Sequence, residues 1–276
     1  MIAQASLVAA TRKLKAAGVS DPARDARLLL AHAMGIGSDR LTLHLGDELS
    51  GDQHSTFEDF ILHREKRQPV SQIIGSREFF GRRLKVTPDV LDPRPETEII
   101  IIEALSQSFT RVLDIGTGSG CIVSTLLAEN QKAHGVGVDI SDAALAVAYE
   151  NAVILGVSDR VEFKRSNWFD NVSGHFDLIV SNPPYIDEVE WQTLGPEPRE
   201  WEPKIALTPG PNGLSPYRLI ADKAGDFLSA GGRVLVEIGW KQGAKVAGFF
   251  ENAGYGDVRV IKDLDGRDRV ICASKA

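Results

Sequence analysis

From Arg111 onward the chain alternates short apolar runs with helix-length segments, and this alternation limits the possible folds more than any other feature. Strand-sized runs lie at 112–115, 135–139, 161–163, 176–181 and 233–238. Between them fall helical segments at about 122–129, one through Leu145 and Ala148 that stops at Gly156, one opened by Ser215-Pro216 and one ending near Asn252. Parallel strands need long crossovers, usually helices, so the order predicts an α/β fold with a mainly parallel sheet. Gly231-Gly232 is expected to turn the chain into the fifth strand. The last two runs, 257–261 and 269–273, read as a hairpin through Asp265-Gly266 that adds one antiparallel strand.

Two strand ends carry the chemistry. The run 176–181 stops at Asn182-Pro183-Pro184-Tyr185. Consecutive prolines remove two backbone donors and fix φ, so the chain leaves the sheet stiff and extended. The Asn182 side-chain oxygen and the Pro183 carbonyl then stand as rigid acceptors at the carboxyl edge of the sheet, where open α/β sheets bind ligands. Two such acceptors suit the hydrogens of an –NH2 group. The run 112–115 ends in Gly116-Thr117-Gly118-Ser119-Gly120, whose alternate glycines let a backbone approach a ligand at a helix start. The pattern is not G-x-G-x-x-G, because the sixth position is Cys121. About 20 residues on, the run 135–139 ends in Asp139, placed to accept from ribose hydroxyls or simply to neighbour the cap at Ser141. Trp168, in Asn167-Trp168-Phe169-Asp170, could cover an adenine face or sit in the core.

Residues 6–68 read as helical. Leu7, Ala10, Leu14 and Ala17 share a face, Asp21-Pro22 starts a second helix that stops near Gly35, and Ser50 and Gln53 have capping-box spacing before Phe57, Phe60 and Ile61. Such a bundle either packs only or recognises a partner. The division expected is a helical domain at 1–71, a linker at 72–91 with a hairpin around Gly81-Arg82, and an α/β domain at 92–276. In Pro93-Arg94-Pro95-Glu96-Thr97-Glu98, Pro95 and the two glutamates suit a helix start. The stretch after Tyr185, to about 215, holds Trp191, Trp201 and Ile205; seven of the chain's 13 prolines lie in 182–214. That composition predicts a long, ordered, substrate-facing loop.

A net charge of −7 argues against non-specific nucleic-acid binding. Cys121 and Cys272 are the only cysteines and read as reduced core residues of a cytosolic protein. No apolar run reaches membrane-spanning length, no signal or transit character opens the chain, and the six histidines lack metal-ligand spacing.

The glycine loop, Asp139 and Asn182–Tyr185 together resemble the class I S-adenosylmethionine-dependent methyltransferases that act on planar nitrogens. With the N-terminal helices, the hairpin, Pro93–Glu98 and Gly266-Arg267-Asp268-Arg269-Val270, nearly the whole chain is similar to the peptide chain release factor N(5)-glutamine methyltransferases. The resemblance implies a seven-stranded, mainly parallel, Rossmann-like methyltransferase sheet with a small N-terminal helical domain joined by a β-hairpin. It implies S-adenosylmethionine as cofactor, S-adenosylhomocysteine as product and no metal. By position, Gly116, Thr117, Gly118, Ser119 and Gly120 approach the methionine moiety, Asp139 holds the ribose, Trp168 lies beside the adenine, and Asn182 borders cofactor and substrate. Asn182 and the Pro183 carbonyl hold the substrate amide, with Pro184 and Tyr185 packing beside it. One departure is Asn167, where such sequences commonly carry aspartate. The implied partner is a class 1 release factor, methylated on the glutamine of its Gly-Gly-Gln motif by a monomeric enzyme of the bacterial cytoplasm. No membrane or direct nucleic-acid substrate is implied. Two other readings stay open: a nucleic-acid amino-group methyltransferase using the same acceptors, and a non-catalytic S-adenosylmethionine-binding module, against which the intact Asn182–Tyr185 motif counts.

Overall fold

The structure is a computed structural model that describes residues 1–275. It divides into two compact units, Met1–Ser76 with Gly195–Trp201, and Arg77–Leu194 with Glu202–Ala276.

The first unit is helical. α1 (Ala3–Ala16) buries Ala3, Ser6, Ala10 and Leu14, a single face at helical spacing. Asp21 caps α2 (Pro22–Ala33) by accepting from Arg24 N, and Gly35, at φ +69°, ends it. Both bonds of the capping box between Ser50 and Gln53 are formed at the start of α3 (Gly51–Glu65). One further turn, α4 (Val70–Ile73), closes this part of the chain. Leu14, Leu29, Leu30, Leu41, Phe57 and Ile61 are fully buried together. Burying each such side chain contributes about 1.5–3 kcal/mol.

The second unit opens with a hairpin, β1 (Ser76–Phe79) and β2 (Arg82–Lys85). Its turn is Phe80-Gly81, one residue earlier than the sequence suggested. Both residues have positive φ, +50° and +69°, as a tight two-residue hairpin turn demands. Phe80 accepts that conformation while its N–H donates to Glu98 Oε1 at 2.8 Å. A 3-10 turn at Pro95–Thr97 leads into α5 (Glu98–Leu105).

Seven strands follow, with helices between them: β3 (Arg111–Ile115), α6 (Cys121–Glu129), β4 (His134–Asp139), α7 (Asp142–Ile154), β5 (Val161–Arg165) and β6 (Phe176–Ser181). After them come α8 (Glu188–Thr193), α9 (Pro196–Trp201, part of the first unit), α10 (Lys204–Leu207), α11 (Ser215–Phe227), β7 (Leu228–Glu237), α12 (Gly243–Asn252), β8 (Gly256–Lys262) and β9 (Asp268–Ser274). The strand order is β5-β4-β3-β6-β7-β9-β8. β9 alone runs opposite to the other six strands. The fold is therefore the seven-stranded, Rossmann-like α/β sheet expected.

Alternate residues feed two apolar layers: Val112, Leu178, Val180 and Leu235 on one face, Leu113, Ile179, Val234 and Val236 on the other. The chain reverses direction across the sheet between β3 and β6, so their carboxyl ends border the crevice that such topologies leave for a ligand.

Two expectations change. Residues 186–214 are ordered but are not a single loop: they carry α8, α9 and α10, and Asp187 caps α8 with bonds from Val189 N and Glu190 N. Gly231-Gly232 lies inside β7, where pairing jumps from Phe176↔Leu228 to Leu178↔Arg233. The glycines absorb a bulge and do not turn the chain. Cys121 and Cys272 are both free, and burial pushes the Cys121 thiol up to about 12. Among the described residues, no helix is long and apolar enough to cross a membrane and no His/Cys/Asp/Glu group could hold a metal.

Candidate active site

At the end of β3 the glycine loop takes a path that side chains disfavour: Gly116, Gly118 and Gly120 have φ of +67°, +54° and +73°. A Cβ on Gly116 or Gly118 would meet nothing within 4 Å, whereas one on Gly120 would meet the Ala148 Cβ at 3.0 Å. The first two glycines therefore face open space, and Gly120 serves the packing of α6 on α7. Two carboxylates fix the loop. Asp139 Oδ2 accepts from Gly118 N at 2.9 Å, while its Oδ1 accepts from Ser141 N at 3.0 Å. Ser141 in turn caps α7 through Ala144 N, so Asp139 is both the cap's neighbour and a clamp on the loop.

Behind the loop, wholly buried, lies Asp114, a residue to which sequence reasoning gave no role. Its Oδ2 accepts from Thr117 Oγ1 at 2.7 Å and from Val123 N at 3.3 Å. Burial raises its carboxyl to about 7, against those two bonds and with help from the Asp139 charge.

At the end of β6, Asn182 is half-buried and Pro183 buried. Asn182 Nδ2 donates to Thr97 Oγ1 at 3.2 Å, and Thr97 Oγ1 donates to Glu237 Oε2 at 2.6 Å. Burial raises the Glu237 carboxyl to about 7, while the Thr97 bond and the Arg269 and Arg94 charges oppose the rise. Burial also raises the Tyr185 phenol far above its ordinary value, so Tyr185 is a neutral packing group. Its carbonyl accepts from Gln242 Nε2 at 3.1 Å. Arg94 Nη2 lies 2.7 Å from both oxygens of the nearly inaccessible Glu202. From its residues alone, Pro93–Glu98 read as a helix start, with no role for Thr97. A threonine beside a proline turn and a glutamate closing an apolar strand were the available signals.

A cavity of about 420 Å3 joins the two ends. Its lining includes Gly116, Thr117, Gly118, Ser119, Asp139, Trp168 and Asn182 with Pro184, besides Thr97 and Arg94. Gly120, Pro183 and Tyr185 stand outside that lining. Trp168 takes φ +53°, uncommon for so large a residue, and is half-buried. Asn167 also lines the cavity, with its Nδ2 3.3 Å from Asp170 Oδ2. Every lining residue belongs to the second unit. The volume falls in the range of about 300–1,000 Å3 usual for small-molecule sites.

In the first unit, Glu197 of α9 accepts from Arg67 Nε and Nη2, both at 2.8 Å, and from Arg64 Nη2 at 3.1 Å. Gln72 Nε2 donates to the Trp201 carbonyl at 2.6 Å, and Trp201 Nε1 to the Lys66 carbonyl at 3.2 Å. The middle of the proline-rich stretch is thus built into the helical unit, which sequence reasoning missed.

The same architecture occurs in a methyltransferase from Pyrococcus furiosus, with a TM-score of 0.55 at 18% identity over 80% of this chain and 99% of that one. The hMettl16 catalytic domain gives a TM-score of 0.59 at 17% identity, over 79% of this chain and 81% of that one. Likeness at these identities concerns the fold alone. Residues 95–194 match the methyltransferase small domain and residues 6–75 the PrmC N-terminal domain. Fold and matched domain together define a methyltransferase. The chain is 55% identical over 273 residues to the release factor glutamine methyltransferase of Cereibacter sphaeroides, covering 99% of this chain and 98% of that one. It is 43% identical to the protein of the same name from Caulobacter vibrioides, over 97% of this chain and 94% of that one, and 42% identical to that of Agrobacterium fabrum, over 97% and 95%. It belongs to the release factor glutamine methyltransferase family.

Proposed function

We propose that this chain transfers a methyl group from S-adenosylmethionine to the side-chain amide nitrogen of the glutamine in the Gly-Gly-Gln motif of a class 1 release factor. The observation that carries the reading is Asn182, held by its amide at the edge of the cavity, in a chain 55% identical over 273 residues to a release factor glutamine methyltransferase. The residues fit the donor. Gly116 and Gly118 leave room where a Cβ would intrude, Asp139 offers carboxylate lone pairs at the end of β4, and Trp168 supplies an aromatic wall. When bound, S-adenosylmethionine supplies an electrophilic methyl on a sulfonium.

The protein's task is to hold the acceptor. A primary amide nitrogen is a poor nucleophile because its lone pair is delocalised into the carbonyl. Asn182 Oδ1 and the Pro183 carbonyl, both acceptors, grip its two hydrogens and favour a more localised lone pair as positive charge develops. Pro184 and Tyr185 complete the acceptor side. Orientation of the two reactants supplies most of the rate gain, and only after the nitrogen has been methylated does it pass its proton to water, directly or through Asn182 Oδ1.

The helical unit, with the Gly195–Trp201 segment built into it, is assigned to partner selection. A glutamine amide is common to most proteins, so discrimination must come from contacts remote from the nitrogen. The enzyme would act as a monomer in the bacterial cytoplasm, where release factors work.

The test is tritiated methyl transfer to purified release factor, to its Gln-to-Ala variant, and to bulk RNA and DNA in parallel. Label is expected on the first alone. Label on nucleic acid, or on the Gln-to-Ala variant at the same level, would overturn the assignment.

A further inference from the structure

Asparagine presents two nearly isosteric ends, an acceptor oxygen and a donor NH2, and only the oxygen can grip an amide N–H. Turned by 180°, Asn182 would set its NH2 against the NH2 of the incoming glutamine. Something must therefore decide which way it faces.

Thr97 and Glu237 supply that decision. Glu237 closes β7 and is held there by the sheet ladder, paired with Val270 of β9, and by a bond from Tyr217 Oη to its carbonyl at 3.0 Å. In its ionised form, dominant above about pH 7, the Glu237 carboxylate can only accept, so there the single hydroxyl proton of Thr97 is committed to Glu237 Oε2 at 2.6 Å. What remains on Thr97 Oγ1 is lone pairs. Only the NH2 end of Asn182 can meet them, at 3.2 Å, which leaves Oδ1 for the acceptor amide. Thr97 and Glu237 are both about 1% exposed, so water does not offer Asn182 a substitute partner on that side. The order carboxylate, hydroxyl, amide is a one-way chain of donors.

We propose that Thr97 and Glu237 are positioning residues that fix the amide orientation of Asn182 and thereby make it selective for an –NH2 acceptor. This rests on the amide-methylation reading above and deepens it. Neither residue is asked to touch the transferred methyl.

The experiment, run at about pH 8 so that Glu237 is ionised, compares wild type, Thr97→Ser and Thr97→Val, each with asparagine side chains labelled with 15N. In wild type and Thr97→Ser, nuclear Overhauser contacts are expected from the Asn182 NH2 protons to the side chain at 97, with two well-separated NH2 signals. In Thr97→Val the separation should collapse. Turnover on release factor should fall about 10- to 100-fold in Thr97→Val and recover in Thr97→Ser, with S-adenosylhomocysteine affinity unchanged throughout. Turnover of Thr97→Val within two-fold of wild type, or wild-type contacts that place the NH2 away from Thr97, overturns the proposal. Should Thr97→Val not fold, the wild-type contacts still decide it. Loss of methyl transfer in wild type itself would sink the functional reading and leave the orientation result standing.

Discussion

The two ends of the cavity rest on acids, and they use them differently. Behind the glycine loop, Asp114 bonds Thr117 and the Val123 N–H, and Asp139 bonds the Gly118 N–H; what they hold is mainly backbone. Behind Asn182, Glu237 acts through Thr97 on a side chain. A backbone loop has its donors and acceptors in fixed places once φ is set. A side-chain amide must have its polarity chosen for it. The glycine-loop end is thus shaped by backbone conformation and the Asn182 end by hydrogen-bond direction, a difference that fits the cofactor and substrate roles proposed for them.

The sharpest way to break this contrast is Asn182→Ala. Turnover is expected to fall at least about 100-fold, as when one preorganised polar contact to a transition state is removed. Cofactor affinity should stay near wild type if, as proposed, the cofactor is held at the glycine-loop end. Steady-state kinetics and calorimetry on one preparation read both; activity within a few-fold of wild type would remove the amide clamp.

The buried acids themselves give the next effect. Burial raises Asp114 from 3.8 and Glu237 from 4.5 to about 7 each. Between those unfolded and folded values the folded state holds a proton that the unfolded chain has lost. Stability attached to each group is therefore full below about pH 4 and declines as pH rises towards 7, at up to about 1.4 kcal/mol per pH unit. Asp114→Asn and Glu237→Gln should each flatten that slope in melting curves taken from pH 4.5 to 7.5. Slopes indistinguishable from wild type would mean that neither acid is held protonated.

Asp139→Ala tests the donor end. If Asp139 holds the ribose as proposed, losing a charge-assisted acceptor worth roughly 1.5–3 kcal/mol should weaken S-adenosylmethionine binding about 10- to 100-fold. Unchanged S-adenosylmethionine affinity would take Asp139 out of the site. A finer cut separates two glycines of one loop. Gly118 and Gly120 both have positive φ, so alanine at either costs about 1–2 kcal/mol of backbone strain. Only Gly120 is also pressed against Ala148. Gly120→Ala should lose more melting temperature, and Gly118→Ala proportionally more cofactor affinity.

The contrast between the two ends also explains what could be read in the sequence. Positive-φ glycines after an apolar strand, a strand halted by two prolines, and a Ser-x-x-Gln cap are local, and each appears where its residues predict. The link from Thr97 to Glu237 spans 140 positions, and no local pattern announces it. Gly120 looks in sequence like its neighbours in the loop, because the contact that distinguishes it comes from α7. Proline-rich composition hid α8 to α10, since proline is well tolerated in the first turn of short helices such as Pro196–Trp201. Phe80 in the left-handed region is set by its bond to Glu98, again from outside the hairpin.

The smallest expected effect concerns the helical unit. Glu197 brings its carboxylate to Arg64 and Arg67; burial favours its neutral form, but the Arg67 and Arg64 bonds outweigh that and hold the carboxyl below its ordinary value. Its side chain keeps 21% exposure and that of Arg67 23%, so solvent screens much of the attraction. Arg64, at 6% exposure, retains Asp25 at 2.8 Å and the Gln68 carbonyl when Glu197 is gone. Glu197→Ala should therefore cost only about 1–2 kcal/mol of stability, less than stripping a fully buried pair. Cofactor affinity should not move, because the cavity is lined by the other unit alone. If the helical unit and its Gly195–Trp201 segment select the partner, kcat/KM on intact release factor should fall several-fold while activity on a short Gly-Gly-Gln peptide holds. Equal losses on both substrates would assign Glu197 to stability alone and take the segment out of partner selection.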